Sequence, residues 1–280
     1  MHYFNKSVNF AACVFVVIGS LLCGTTRVRA DAQGNMVRAL TAKYGAGIVT
    51  LQLVLKSAAG GEQAQLETDG IVLDANGLIA TTNTAIDPTS AYSSMMGEEE
   101  TQGMATSVVS IKIRLSSGEE LPGRVVLRDK DRNLAFVRPL RRPTRPFVAV
   151  NFKGTHIAKM GDMVYLLGRM GKAGNRQNES KIERVTGVVE KPRRLYVLDT
   201  GTYSYLGNVV FNESGQPLGI LSVRIVRSGR ANLGASGTIL VVVIPAADVW
   251  EVALQAPQAK DVRQPRAQPK TTPKKPSANR

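Results

Sequence analysis

The chain has 280 residues, 43% of them hydrophobic, and is therefore long enough to bury the core of one large domain or of two small ones. Its 36 lysine and arginine residues outnumber its 22 acids and give a net charge of +14, but the excess is concentrated at the two ends of the chain. Both cysteines, Cys13 and Cys23, lie within residues 1–30, which excludes disulfides, thiol catalysis and cysteine-based zinc sites from the rest of the chain.

Residues 1–30 have the pattern of an export signal. Lys6 precedes an apolar run over residues 10–23, and Val28-Arg29-Ala30 is a small-x-small cleavage pattern followed by Asp31. Because export without disulfides is common in bacteria, we expect a protein of the bacterial periplasm or the extracellular space. The alternative is an uncleaved membrane anchor, since the arginines beside the cleavage pattern could stop transfer through the membrane.

The first half of the remaining chain has the pattern of one helix followed by short strands. Met36 to Tyr44 has apolar residues at helical spacing, and Asp74 to Gly77 is a turn signal between two β-rich runs. From Val108 to Leu115 apolar and polar residues alternate, which predicts a half-buried strand with Val109, Ile111, Ile113 and Leu115 on one face. The predicted strands of this half are 48–56, 70–74, 78–82, 108–115, 121–129 and 134–138.

The second half repeats this pattern after a break. Residues 138–146 contain three prolines and four arginines, which predicts a linker between two halves. A helix over 245–254 is predicted to end the domain. The predicted strands are 163–167, 183–190, 195–198, 209–212, 217–226 and 237–244. Many short strands at regular intervals, with helices only at the ends, predict an all-β pair of barrels.

Two segments have little capacity to fold. Residues 88–107 form a long polar loop around Glu98-Glu99-Glu100, which we expect to be either functional or disordered. Residues 256–280 contain five prolines and no aromatic residue, so we expect an extended cationic tail. The cations of this tail are Lys260, Arg263, Arg266, Lys270, Lys274, Lys275 and Arg280.

From about residue 40 to residue 255, the chain resembles the trypsin-like serine protease domain of the bacterial HtrA/Deg type. The resemblance rests on five segments in the right order: the run from Gly70 to Thr84, Arg128-Asp129 with Asn133-Leu134-Ala135, Met160 to Gly168, Gly207 to Ile220, and Val241 to Pro245. It implies two six-stranded antiparallel β-barrels, at 31–150 and 151–255, with short helices at both ends. No PDZ domain follows, which departs from the Deg pattern.

The three positions that carry the catalytic triad in this family hold other residues. The family run that ends Thr-x-x-His reads Thr81-Thr82-Asn83-Thr84 here, and the Asp that orients the histidine is replaced by Asn133. The nucleophile of the family's Gly-Asn-Ser-Gly-Gly-Pro is replaced by Leu206. Since a serine hydroxyl attacks only with an adjacent base, and that base needs an orienting partner, the resemblance implies a degenerate protease.

Other sources of chemistry find little support in the sequence. His156 is the one histidine beyond residue 30, and we interpret it as an exposed loop residue. Ser204 lies two residues from the lost nucleophile but has no base at Thr84. No spacing of ligands indicates a metal, no motif indicates a cofactor, and the glycines from Gly168 to Gly174 do not fit a phosphate-binding loop and instead predict a loop beside the former active site.

We therefore expect an exported, catalytically inactive pseudoprotease that binds a protein or an extended peptide, as family members bind substrate along a strand edge. The alternatives are a serine hydrolase with a relocated site, another exported β-domain, and a protein that binds polyanions through its tail. Anionic cell-wall polymer and a membrane surface are favoured over nucleic acid as partners of the tail.

Overall fold

The computed structural model describes residues 32–57, 63–89, 106–199, 205–225 and 239–257. The predicted export signal, most of the polar loop (90–105) and most of the cationic tail (258–280) lie outside these described residues. None of the helices within the described ranges is both long and apolar enough to cross a bilayer.

Two closed antiparallel barrels of six strands each form the body of the protein, which confirms the predicted fold. The first barrel is made of β1 (Ile48–Ser57), β2 (Gln63–Val72), β3 (Ile79–Thr82), β4 (Thr106–Arg114), β5 (Glu120–Asp129) and β6 (Leu134–Pro139). The second is made of β7 (Met163–Arg169), β8 (Asn178–Val189), β9 (Leu195–Leu198), β10 (Val209–Phe211), β11 (Pro217–Ile225) and β12 (Ile239–Pro245). In space the strands follow the order β1-β2-β3-β6-β5-β4 in the first barrel and β10-β11-β12-β9-β8-β7 in the second.

Three helices accompany the barrels within the described ranges. Helix α1 covers residues 32–44, the single-turn helix α2 (Asn83–Ile86) follows β3, and α3 (Ala246–Ala253) follows β12. Leu40 and Tyr44 of α1 are buried, and the Tyr44 ring stacks on Phe211 of β10 with 5.0 Å between ring centroids. The amino-terminal helix therefore packs on the second barrel, although it precedes the first barrel in the chain.

The apolar residues divide into three clusters. One fills the first barrel around Leu51 and Ile113, and one fills the second barrel around Tyr196 and Leu221. The largest cluster joins residues of both barrels, such as Phe136 and Phe211, with those of α1 and α3. Burial of this shared cluster stabilises the contact between the two barrels because it removes apolar surface of both from water.

The structure corrects two predicted segments. The proposed linker begins too early, because Arg138 and Pro139 complete β6 and the Arg138 side chain is only 2% exposed. Its guanidinium donates from Nε to the backbone oxygen of Pro257 at 2.9 Å and from Nη2 to Asp74 at 3.3 Å. Because Ala256 is buried and Pro257 accepts this bond, the packed domain extends two residues into the predicted tail.

The alternation predicted for 108–115 is interrupted by a bulge. The register with β1 shifts so that Val54 pairs with Ser110 and Leu55 pairs with Val108. Val109 has no partner in this register and is 52% exposed, whereas Val108 packs against the core of the first barrel. A single inserted residue thus reverses the face of every side chain that precedes it in the strand.

Candidate functional site

A cleft of about 550 Å³ opens between the two barrels. We call it the interbarrel cleft. Its first wall comes from β2, from β1 and from the region of α2, and its second wall from the end of β7, the turn that follows it, and β8. The residues that carry its chemistry are Glu67, Thr68, Asp69, Thr84, Arg169, Glu179 and Leu206.

The structure places Thr84 and Asn133 in direct contact. The Thr84 backbone N–H donates to Asn133 Oδ1 at 2.9 Å, and Asn133 Nδ2 lies 3.3 Å from the hydroxyl of Thr84. Nδ2 also donates to Ser222 Oγ at 3.0 Å and lies 3.3 Å from the Val223 backbone oxygen in the second barrel. The Asn133 amide therefore fills a polar position between the barrels with its oxygen and its nitrogen both bonded.

Leu206 lines the same cleft as Thr84, at the start of a tight turn. The next residue, Gly207, has a φ of 89°, and a Cβ at this position would lie 3.0 Å from the backbone oxygen of Asp69. Only glycine takes this backbone conformation and this close approach without strain. The turn thus seats Leu206, an apolar group, where the resemblance places the attacking hydroxyl.

Asn208 follows that turn and is 1% exposed. It packs against Gly168 of β7, where the absence of a side chain leaves room for the amide. Neither the oxygen nor the nitrogen of its side chain has a hydrogen-bond partner among the described residues. The motif that this segment resembles has a glycine at this position, whereas Asn208 places a buried amide against Gly168.

Asp69, which the sequence did not single out, and Arg169, which belongs to the predicted loop of residues 168–174, both line the cleft. The backbone N–H of Arg169 donates to Asp69 Oδ2 at 2.7 Å. Asp69 is 8% exposed, and this burial raises the pKa of its carboxyl to about 7, against the lowering effects of the N–H bond and of the Arg169 charge. The carboxyl is therefore poised to change charge near neutral pH.

The guanidinium of Arg169 donates hydrogen bonds to backbone carbonyls of the first barrel and of the turn that follows β7. It donates from Nε to Ile48 at 2.6 Å, from Nη2 to Gly45 at 3.1 Å, and from Nη1 to Arg176 at 2.8 Å. Burial lowers the pKa of this guanidinium, although the nearby Asp69 opposes the change. All three nitrogens are occupied by main-chain acceptors, so Arg169 acts as a link between the barrels.

Two further acids line the cleft in different states. Glu67 is paired with Arg176, and the hydrogen bond to Arg176 is the largest of the interactions that lower the pKa of Glu67. Glu179 makes no ion pair or hydrogen bond with any residue in the described ranges, and burial raises its pKa. The cleft therefore contains one acid in an ion pair, Glu67, and two carboxyls, Asp69 and Glu179, that form no ion pair with a described side chain.

The remaining sequence predictions fall elsewhere. His156 lies in the segment before β7, where Tyr196 Oη contacts its backbone oxygen at 3.5 Å, and it does not line the cleft. Met170 and Gly171, from the predicted loop of residues 168–174, do line it. Ser204 and the seven tail cations lie outside the described residues. In the part of the chain that the structure describes, no three His, Cys, Asp or Glu side chains are grouped so as to hold a metal.

The hydroxyls on the cleft wall belong to Thr50, Thr68 and Thr84. The hydrogen bond that the Thr84 hydroxyl donates is to Thr82 Oγ1 at 3.3 Å, and within the described ranges none of the three donates to a carboxylate or an imidazole. An alcohol attacks a carbonyl only when an adjacent base takes its proton. Within the described ranges, the cleft wall therefore presents no hydroxyl with a hydrogen-bonded base.

A family model described as a trypsin-like peptidase domain matches residues 68–220, which begin on β2 and end in β11 and so include strands of both barrels. No curated protein matches the chain.

Proposed function

This chain belongs to the trypsin-like peptidase domain family, and on that premise we propose that it is a non-catalytic member that binds a protein or an extended peptide in the interbarrel cleft. The observation that carries the proposal is the position of the replaced residues. Thr84 is bonded to Asn133 and shares the cleft with Leu206, so all three replacements lie around one place. Together they remove the base, its orienting group and the nucleophile from that place.

The shape of the cleft supports peptide binding. Its volume falls within the range of roughly 300–1,000 Å³ that is typical of ligand sites. Leu66 and Met170 are 38% and 40% exposed on its walls and offer apolar contact. Beside it, the end of β11 (Ser222 to Ile225) pairs with β12, and no strand within the described ranges pairs with its other edge. An added strand there would have to share the Val223 backbone oxygen with Asn133 Nδ2.

The direct experiment measures turnover and covalent labelling on the full chain. We expect no cleavage of casein or of a fluorogenic peptide library, and no adduct with a fluorophosphonate probe, because Leu206 cannot attack phosphorus. An active trypsin-like enzyme at the same concentration is the control for the sensitivity of both assays. A stoichiometric adduct would refute the absence of catalysis, whichever serine or threonine it formed on.

We also propose that the protein is exported and is of the HtrA/Deg type. The support is the pattern of residues 1–30 and the motif run from Gly70 to Thr84. Recovery of the protein from the periplasm or the medium with Asp31 as its first residue is the expected result. An intact residue 1 in the cytoplasmic fraction would contradict export, and an intact residue 1 in the membrane fraction would indicate an anchor.

A second candidate function belongs to the cationic tail. Seven cations against one acid over residues 256–280 favour binding to an anionic cell-wall polymer or a lipid surface. Removal of residues 258–280, which leaves the packed Pro257 in place, should lower the salt concentration at which the protein leaves a heparin column. An unchanged elution point would refute a role of the tail in polyanion binding.

A further inference from the structure

The end of the packed domain presents an aromatic and an aliphatic side chain on one side of α3. Trp250 is half-buried and packs against the apolar cluster that the two barrels share, and Leu254, which directly follows the helix, is 66% exposed. The Leu254 N–H still donates to the Trp250 backbone oxygen at 3.0 Å. Because residues four apart lie on the same face of a helix, the two side chains form one apolar strip.

A lysine borders this strip. Lys153 Nζ lies 5.3 Å from the centroid of the Trp250 ring, and the Lys153 side chain is exposed to solvent. An indole beside an ammonium group suits the level of lipid headgroups, since the ring contacts the acyl boundary and the ammonium reaches phosphate oxygens. We call Lys153, Trp250 and Leu254 the α3 face.

The two acids of α3 each have an arginine nearby. Glu251 contacts Arg132 at 3.3 Å, and Arg132 also contacts Asp129 at 3.1 Å. Burial raises the pKa of Asp248, and the charges of Arg132 and Arg193 oppose this rise. Neither acid of the helix is therefore an isolated negative charge that would repel an anionic surface.

The cationic tail leaves the packed domain next to the α3 face. Ala256 is buried and Pro257 is held by Arg138, three residues after Leu254. Residues 258–280 then carry seven cations and one acid. An anionic surface that attracts these cations is brought close to Leu254, because the tail tethers the two binding contacts to each other.

We propose that the α3 face docks on an anionic lipid bilayer, with Trp250 and Leu254 among the headgroups and the Lys153 ammonium beside lipid phosphates. The tail supplies electrostatic attraction and the α3 face supplies apolar contact, and two such signals together give stable attachment to a membrane. This inference rests on the proposed role of the tail and adds the part of the folded domain that contacts the surface. A soluble polyanion offers no apolar layer and would engage the tail alone.

Trp250 is the one tryptophan of the chain, so its fluorescence reports on this contact directly. The protein as isolated from cells is titrated with vesicles of phosphatidylcholine, either alone or with one quarter phosphatidylglycerol. With the anionic vesicles we expect the emission to shift to shorter wavelength, and to be quenched when the acyl chains carry bromine. An equal shift with neutral vesicles would overturn the requirement for an anionic lipid.

The variant Leu254→Ser should raise the lipid concentration at half-maximal shift about fivefold, because the apolar area that leaves water on binding is smaller. Val109→Ser, which alters a side chain of β4 that is 52% exposed, is the matched control and should change nothing. Thermal unfolding checks that both variants keep the fold. A chain that ends at Pro257 should bind more weakly and still show both the shift and the effect of Leu254→Ser.

The outcomes separate this proposal from the role of the tail. Sedimentation with anionic vesicles that leaves the Trp250 emission unchanged, and that Leu254→Ser does not weaken, would overturn docking by the α3 face while the role of the tail stands. Retention on heparin without binding to vesicles would assign the tail to a polymer and overturn the lipid. A dimer that forms without lipid and that Leu254→Ser dissociates would show that the face binds a second copy of the chain, and would overturn a bilayer as its partner.

Discussion

The side chain of Asn133 forms hydrogen bonds with both barrels. The backbone of the same residue has an uncommon conformation. Its φ of 53° lies in the left-handed region, which asparagine adopts more readily than most residues. Its amide reaches Thr84 in the first barrel and Ser222 in the second. The residue therefore contributes to stability in two separable ways, through its backbone and through its amide.

We expect Asn133→Ala to destabilise the protein by about 3 kcal/mol and Asn133→Gly by about 1 kcal/mol less. Both variants lose the hydrogen bonds of the amide, but only alanine adds the cost of a left-handed conformation. Urea denaturation measures both free energies of unfolding. Equal values for the two variants would show that the backbone conformation contributes nothing.

Asp69 should make stability depend on pH in the direction opposite to that of most carboxylates. Because burial raises its pKa to about 7, the folded state holds a proton that the unfolded state has lost above the ordinary aspartate pKa of 3.8. The contribution is complete below that value and is lost as the pH rises to 7, by up to about 1.4 kcal/mol per pH unit. Glu179 and Asp248, whose pKa values are also raised, act in the same direction.

The variant Asp69→Asn isolates this effect, since asparagine can still accept the Arg169 N–H and does not titrate. We expect the melting temperature of the unaltered protein to fall relative to that of the variant between pH 5 and pH 8. Melting curves that remain parallel over this range would mean that the carboxyl is already ionised at pH 5.

At the scale of the element, helix α1 is held mainly by apolar contacts with the second barrel. Leu40 and Tyr44 are buried in the cluster shared by the two barrels, and the turn at Gly215 lies against Met36 and Leu40. The connection from α1 to β1 therefore crosses from one barrel to the other. Because α1 packs in the apolar cluster that contains residues of both barrels and of α3, it adds to the contact between the two barrels.

Leu40→Ala should cost about 3 kcal/mol of stability, as expected when a buried leucine is truncated in a packed core. Arg38→Ala, on the exposed face of the same helix, is the control and should cost less than about 0.5 kcal/mol. Guanidinium denaturation of the two variants measures the difference. Similar losses for both would indicate that α1 is held by something other than its apolar face.

The strands were predictable where apolar residues alternate without interruption, and less so at their ends. β9 was predicted with its observed bounds, whereas β2 begins seven residues before its prediction because Gln63 to Asp69 has few apolar residues. The bulge at Val109 could not be predicted, since its position depends on pairing with β1. The pairing of β4 with β1 joins segments that are far apart in the sequence, so the residues around Val109 carry no local pattern that marks the bulge.

At the scale of the whole molecule, the two barrels are joined by polar contacts as well as by their shared apolar cluster. Arg169 of the second barrel donates to two carbonyls that belong to β1 and the turn before it, and Arg132 of the first barrel contacts Glu251 of α3 at 3.3 Å. The cleft lies along this seam, so its walls keep their spacing only while these contacts hold.

We expect Arg169→Ala to destabilise the protein by about 3 kcal/mol or more, and Arg169→Lys to recover little of the loss. A lysine carries one nitrogen and cannot reach the three carbonyls that the planar guanidinium serves. Arg184→Ala, which removes one exposed bond to Gly161, is the control. Full recovery of stability by lysine in chemical denaturation would show that charge alone is required.

The candidate site was predictable only in part. Thr84, Asn133 and Leu206 could be located from the sequence because the five segments that resemble the family's motifs occur in the right order and fix these positions. Asp69 and Arg169 are 100 residues apart, and nothing near either one predicts that a strand of one barrel presents an amide to an acid of the other. The signal that could have found Asp69 is an acid directly before the buried run Gly70-Ile71-Val72.

The bond between the Arg169 amide and the Asp69 carboxylate has a consequence for how occupancy could be observed. A ligand that binds the Asp69 carboxylate and breaks its bond to the Arg169 N–H would speed up exchange of that amide with deuterium. A ligand that only shields this contact from solvent would slow the same exchange. Deuterium uptake at the Arg169 backbone nitrogen would therefore distinguish a ligand that breaks this contact between the barrels from one that leaves it intact.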